Sequence, residues 1–263
     1  MLGKPDLVKI MKTATYNLKW KTFRELDNFQ FKQKDNLENL KIFKSLIPLI
    51  NYNIKSLSNP KFNIDPIGGK YSFITSVMSS AYKRHGNILE AALKEKLKEC
   101  NDFIIFNEDK FPITTEAKSK AALYEKELHK MKKIDLFYNE TAAKDFLQVD
   151  LIVYNKKSSI VSSYELKRGN GYLDAGKKRS LRQDLMSTNF LLKDWMKKFH
   201  NISVRAAHSY VISYYGFKAV EKPFSLVRYD LDNHFKFSVV KDIEKVNLFF
   251  RNKLHKMIED KIS

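Results

Sequence analysis

Residues 146–167, FLQVDLIVYNKKSSIVSSYELK, constrain this chain more than any other stretch. Two runs rich in Val, Ile, Leu and Tyr flank a polar turn, NKKSS. Strand-like runs joined so closely read as an antiparallel hairpin. Yet the first run carries Asp150 near its middle, and the second ends on Glu165 and Lys167. Burying an unpaired charge costs on the order of several kcal/mol or changes its protonation state. The three charges therefore mark either a site or a hairpin edge that faces solvent. Alternate residues of a strand share a face, so Glu165 and Lys167 point the same way, with Val161 and Ser163. Asp150 shares its face with Gln148, Ile152 and Tyr154. Whether Asp150 meets Glu165 depends on register, which the sequence leaves open.

The surrounding pattern predicts an α/β fold. Residues 1–58 read as mainly helical, interrupted near Pro48, and SNPKFNIDPIGGK reads as a loop. A helical pattern runs from Tyr71 to Cys100, divided into two near Gly86. Strands are expected at 102–107, 134–139, 146–155, 160–167, 208–216 and 225–231, with a charged helix at 115–133. Helices are expected from Lys177 to Phe199 and from Asp242 onward. A helix crossing between the runs at 160–167 and 208–215 favours parallel pairing of those two strands. Three regions follow: a helical elaboration over 1–66, a core over 67–235, and a helix over 236–263 packed on that core.

Composition narrows the partner. The 263 residues carry 48 Lys+Arg against 30 Asp+Glu, a formal charge of +18. That excess points to a polyanion, nucleic acid before anionic membrane. Lys, Asn, Ile and Phe are abundant together, so part of the lysine is compositional. The one cysteine, Cys100, excludes a disulfide framework and a cysteine zinc site within the chain. The opening MLGKPDLVKIMK lacks a signal-like apolar run, and no stretch of about 18 apolar residues suggests a membrane span. A cytoplasmic protein with no membrane partner and no small-molecule cofactor is the expectation.

If Asp150 and Glu165 do pair, two carboxylates and the Lys167 ammonium converge at a strand end beside a glycine-rich loop. Crowded carboxylates repel, and a divalent cation relieves them. Hard oxygen ligands favour Mg²⁺ or Mn²⁺ over Zn²⁺. Lys167 would then orient or help deprotonate an attacking water.

Asp150, followed 15 residues later by Glu165-Leu166-Lys167, resembles the PD-(D/E)xK nuclease superfamily. The resemblance covers roughly residues 72–216, with Val149 where the family often has proline. Glu108/Lys110, Glu116/Lys118 and Glu259/Lys261 repeat the ExK spacing, but only Glu165/Lys167 ends a strand that follows another strand bearing an acid. The resemblance implies a restriction-endonuclease-like α-β-β-β-α-β core, with a mixed central sheet flanked by helices. It implies Mg²⁺ held by Asp150, Glu165 and the Leu166 carbonyl, with Lys167 acting on the water. Glu90 shares a helical face with Leu93 and Leu97 and would be a further catalytic or metal-binding acid. As a first-turn residue after Asn87 it would equally complement a helix dipole. The activity implied is Mg²⁺-dependent cleavage of double-stranded DNA, most like a type II restriction endonuclease acting as a homodimer. A structure- or end-dependent nuclease of repair or phage origin, and a DNA-binding protein without catalysis, are the alternatives.

Six of the eight glycines, at 68, 69, 86, 169, 171 and 176, flank the two motif regions. Lys177, Lys178 and Arg179 at a helix start read as a phosphate clamp or as a solvated helix end. Lys70, Arg84, Arg168, Asn170 and Arg182 complete the expected DNA contacts. The histidines form no metal-binding pair and read as structural.

Overall fold

A computed structural model describes residues 41–59, 63–138, 145–169, 171–216 and 218–262. Five strands form one sheet in the order β1-β2-β3-β4-β5. They are β1 (Phe103–Ile113), β2 (Asp145–Asn155), β3 (Ile160–Lys167), β4 (Ala206–Ser213) and β5 (Ser225–Leu226). The first three pair antiparallel and the last three parallel, so the sheet is mixed. The helices are α1 (Lys41–Ser58), α2 (Ser72–Leu97), α3 (Thr115–Leu123), α4 (Ala175–His200), α5 (Leu231–Phe235) and α6 (Val240–Ile262). The chain therefore runs α2-β1-β2-β3-α4-β4, apart from the short α3. The long helix α4 joins β3 to its parallel neighbour β4, as parallel strands require.

The cores follow from the sequence pattern. Leu181, Leu185, Phe190, Leu192 and Trp195 of α4 pack against Ile152, Val161, Ala207 and Val211 of the sheet. In α1, Ile42, Leu46, Ile50 and Leu57 make a buried stripe at helical spacing. Pro48 lies inside that helix rather than interrupting it, because the buried stripe outweighs one lost backbone bond. Residues Ile42–Ser263 form one compact unit, so α1 belongs with the sheet. Residues 1–40 of the expected N-terminal elaboration lie outside the described residues.

Four further expectations are corrected. The helix over Gly86 is continuous, because Val77, Ala81, Ile88, Leu89 and Leu93 bury one face through it. The segment 134–138 is no strand. Its N–H groups are taken by α4 instead: Leu136 N–H donates to the Phe190 carbonyl (2.7 Å) and Tyr138 N–H to Asp194 Oδ2 (2.7 Å). The charged helix stops at Leu123, and Leu128–Lys133 is a 3₁₀ segment. Only Ser225–Leu226 pairs as β5, after which Arg228–Asp230 turns into a 3₁₀ segment.

Candidate active site

The hairpin register bears on the question that the sequence raised. Leu151 stands opposite Tyr164, Ile152 opposite Ser163 and Val153 opposite Ser162. One step further along the same register sets Asp150 against Glu165. The regular ladder stops there, and a side chain replaces it. Asp150 Oδ2 accepts the Leu166 N–H at 2.7 Å, which holds the two strands together as they part. Lys167 Nζ forms an ion pair with Glu165 Oε1. Beyond Lys167 the chain stays tied to the end of β4: Tyr214 N–H donates to the Lys167 carbonyl (3.0 Å) and Tyr215 N–H to that of Arg168 (2.8 Å). Gly169 makes this approach feasible. Its φ is +66°, and a Cβ there would meet the Ser213 backbone at 3.0 Å.

The electrostatics match the crowding. Burial raises the pKa of Asp150, and the Glu90 charge adds to this against the Leu166 N–H bond. Burial, then the Asp150 charge, pushes Glu165 up to about 7. Burial works against the Lys167 cation, yet Glu165, Asp150 and Asp184 together hold its pKa above the ordinary value. Each carboxylate is thus short of compensating positive charge.

Asp184 is the group that the sequence reading missed. It sits on α4 and lines, with Gln148, Glu165 and Thr188, a cleft of about 70 Å³ between that helix and the hairpin. Burial raises its pKa as well. The signal was present in SLRQDLMST: Asp184 lies three residues after Leu181 and four before Thr188, an acid on a buried stripe. The same criterion had singled out Glu90. Glu90 is ion-paired to Lys94 at 2.6 Å, and its charge reaches Asp150.

Among the described residues, no three His, Cys, Asp or Glu side chains form a group set to hold a metal ion. Two carboxylates still suit Mg²⁺, which binds through one or two of them and keeps several waters. The donor set is hard oxygen throughout, as that ion prefers. The crowding of Asp150 and Glu165 is what a bound dication would relieve.

The expected DNA contacts divide sharply. Arg84 donates to Asn53 Oδ1 (3.0 Å) and Ser56 Oγ (2.9 Å) on α1, so it ties two helices together. Arg182 pairs with the buried Glu125. Neither guanidinium is available for DNA as it stands, because each is spent inside the fold. Lys177 and Arg179 are exposed and Lys178 is half-buried, at the start of α4. There Asp174 caps the helix, taking the Lys177 N–H at 2.8 Å and pairing with Lys177 Nζ at 3.1 Å. The clamp expected at this helix start therefore has one of its N–H donors and one of its cations engaged. Arg168 donates its Nε–H to His85 Nδ1 at 3.1 Å. Asn170 and the Lys70 side chain lie outside the described residues.

No family model, characterised protein or solved structure matches this chain.

Proposed function

We propose that the chain is a Mg²⁺-dependent endodeoxyribonuclease of the PD-(D/E)xK type, a site-specific enzyme acting on double-stranded DNA. The observation that carries this reading is the hairpin, paired as far as Leu151 and Tyr164, beyond which the Asp150 charge acts on Glu165, with Lys167 ion-paired beside them at a strand end. The element order α2-β1-β2-β3-α4-β4 and the parallel β3–β4 pair support it, since both are what that superfamily core would require. The net charge of +18 supports a polyanionic substrate.

Asp150 and Glu165, with the Leu166 carbonyl, would hold the metal, and Mn²⁺ would substitute for Mg²⁺. When bound, the ion stabilises the charge that builds on the phosphate during displacement. Asp150 does two jobs in this scheme, because its Oδ2 already bonds the Leu166 N–H and so orients its other oxygen. With Glu165 taken up as a metal ligand, Lys167 would be freed from that ion pair, and its ammonium would hold the attacking water. Asp184 adds a third carboxylate near Lys167, after Glu165 and Asp150, and helps to steady it in the charged form. A palindromic target would be cut by a homodimer, since a two-fold site mirrors a two-fold protein.

The test is a plasmid digest with purified protein in Mg²⁺ and in EDTA, beside Lys167→Ala. Discrete fragments that need the metal and vanish in the variant are expected. A metal-dependent smear or end-trimming would replace site-specific cleavage with a structure- or end-dependent nuclease. Equal cleavage by Lys167→Ala would remove the assignment.

A further inference from the structure

Three arginines among the described residues are used at their forked ends. Arg84 donates through both Nη atoms, Arg182 through Nε and Nη2, and Arg228 through Nη2 to Tyr229 and Nη1 to Glu244. Arg168 differs. Its Nε–H bonds His85, and among the described residues no acceptor reaches either terminal nitrogen. The guanidinium lies 4.5 Å over the Tyr82 ring and 5.9 Å from that of Tyr215. It is half-buried, and no carboxylate pairs with it among the described residues.

The support beneath it is rigid. His85 is buried, and accepting from Arg168 at Nδ1 leaves its proton on Nε2, which meets Asn247 Oδ1 at 3.0 Å. The ring stacks between Tyr215 and Phe250. Burial lowers the His85 pKa to about 4, so the imidazole stays neutral and keeps its acceptor. Asn247 in turn reaches Glu244, which also accepts the Tyr214 hydroxyl at 2.6 Å. Three elements (α2, α6 and the end of β4) thus hold one edge of a guanidinium whose terminal nitrogens have no acceptor among the described residues.

A half-buried cation without a counter-charge is costly unless a partner arrives. A guanidinium whose Nε is anchored presents its two Nη groups in the geometry that grips two phosphate oxygens at once. We propose that Arg168 is a preorganised phosphate-binding fork, positioned by His85 and Tyr82 at the β3 end on the side away from Lys167. Lys167 turns to Glu165 and Asp184 while Arg168 turns to His85 and Tyr82, so a backbone that presents one phosphate to Lys167 would present another to Arg168 as it crosses the strand end. That the phosphate belongs to DNA rests on the nuclease reading; the fork itself does not.

The experiment uses the full chain in EDTA, so that no cleavage is required. The probes are a short fluorescent DNA duplex, read by anisotropy across a salt series, and inorganic phosphate against chloride at equal ionic strength, read by thermal shift. For Arg168→Gln, duplex affinity is expected to fall on the order of ten- to a hundred-fold, with the salt slope shallower by about one. Arg168→Lys keeps the charge but loses the anchored fork, and should recover little of the affinity. Tyr82→Leu, at an exposed position, should cost a few-fold. Duplex affinity unchanged in Arg168→Gln, or fully kept in Arg168→Lys, would overturn the proposal. If the wild type ignores DNA but is stabilised by phosphate, and Arg168→Gln is not, the fork stands and the nuclease reading falls. Indifference of the wild type to both probes would sink the fork.

Discussion

The two sides of the β3 end treat a cation in opposite ways. On one side Lys167 is surrounded by negative charge, ion-paired to Glu165 and felt by Asp150 and Asp184. On the other, Arg168 rests on a neutral histidine and two phenol rings. The last residue of β3 and the residue that follows it have thus been given contrasting surroundings. A cation amid acids is suited to exchange partners when a dication arrives. A cation held by neutral groups is suited to wait for an anion. On the proposed reading, the first side does chemistry and the second holds substrate.

Comparing turnover with binding tests that contrast most directly. Lys167→Ala should lose about 10²–10⁴-fold in cleavage rate, the range expected when a proton-handling group is removed. Its affinity for a DNA duplex in EDTA should stay close to that of the wild type. Arg168→Gln should show the reverse pattern, a large loss of affinity with turnover retained at saturating duplex. Single-turnover rates and equilibrium anisotropy on both variants measure this. Parallel losses in both quantities for both variants would mean that the two sides are not functionally distinct.

The acid side should also reveal itself without substrate. Glu165 binds its proton more tightly in the folded chain, with a pKa of about 7 against an ordinary 4.5. The folded state then holds more protons than the unfolded one between those values, so stability falls as pH rises across that window. The raised Asp150 pKa adds in the same direction. The buried neutral His85 and His234, lowered to about 4, act the other way, so the Glu165 contribution is read as a difference between two chains: the melting temperature of Glu165→Gln, relative to the metal-free wild type, should rise from about pH 4.5 to 7. Mg²⁺ should stabilise the wild type more at the upper end of that range, because it binds the ionised carboxylate. A difference that stays constant with pH would mean that the carboxylates are not crowded.

Gly169 directly follows Lys167 and Arg168, and its substitution should disturb both sides. Its left-handed φ alone makes Gly169→Ala cost about 1–2 kcal/mol. The added Cβ also meets the Ser213 backbone, which cannot swing aside as a side chain would. Urea unfolding should show the loss, together with a fall in both cleavage and DNA affinity. A variant of wild-type stability would mean that the strand end adjusts more freely than its bonds to Tyr214 and Tyr215 imply.

How much of this was legible in the sequence depended on how local each cause is. The runs 146–155 and 160–167 read as strands because β-branched and aromatic residues gather there between polar breaks. The parallel partner of the second run followed from the intervening helix. The segment IDLFY has the same local appearance, yet its N–H groups are captured by α4, more than 50 residues away in sequence for Tyr138 and Asp194. Arg84 and Arg182 looked like free cations because their partners lie 31 and 57 residues off. Register was equally non-local, so the facing of Asp150 and Glu165 could be framed as a condition but not read. Asp184 was the avoidable miss, since the helical-face argument that found Glu90 applies to it without change.

Gly86 offers the smallest effect and the cleanest check on the binding side. It follows His85 in the middle of α2, and its backbone is helical like its neighbours. A Cβ there would meet nothing within 4 Å, so no close packing explains the glycine. Gly86→Ala should stabilise the chain by about 0.5–1 kcal/mol, by removing backbone freedom from the unfolded state. If His85 is a fixed support for Arg168, stiffening the helix beside it should leave duplex affinity unchanged. An affinity loss with the expected gain in stability would instead make Gly86 a hinge, and Arg168 would then have to move to reach its phosphate.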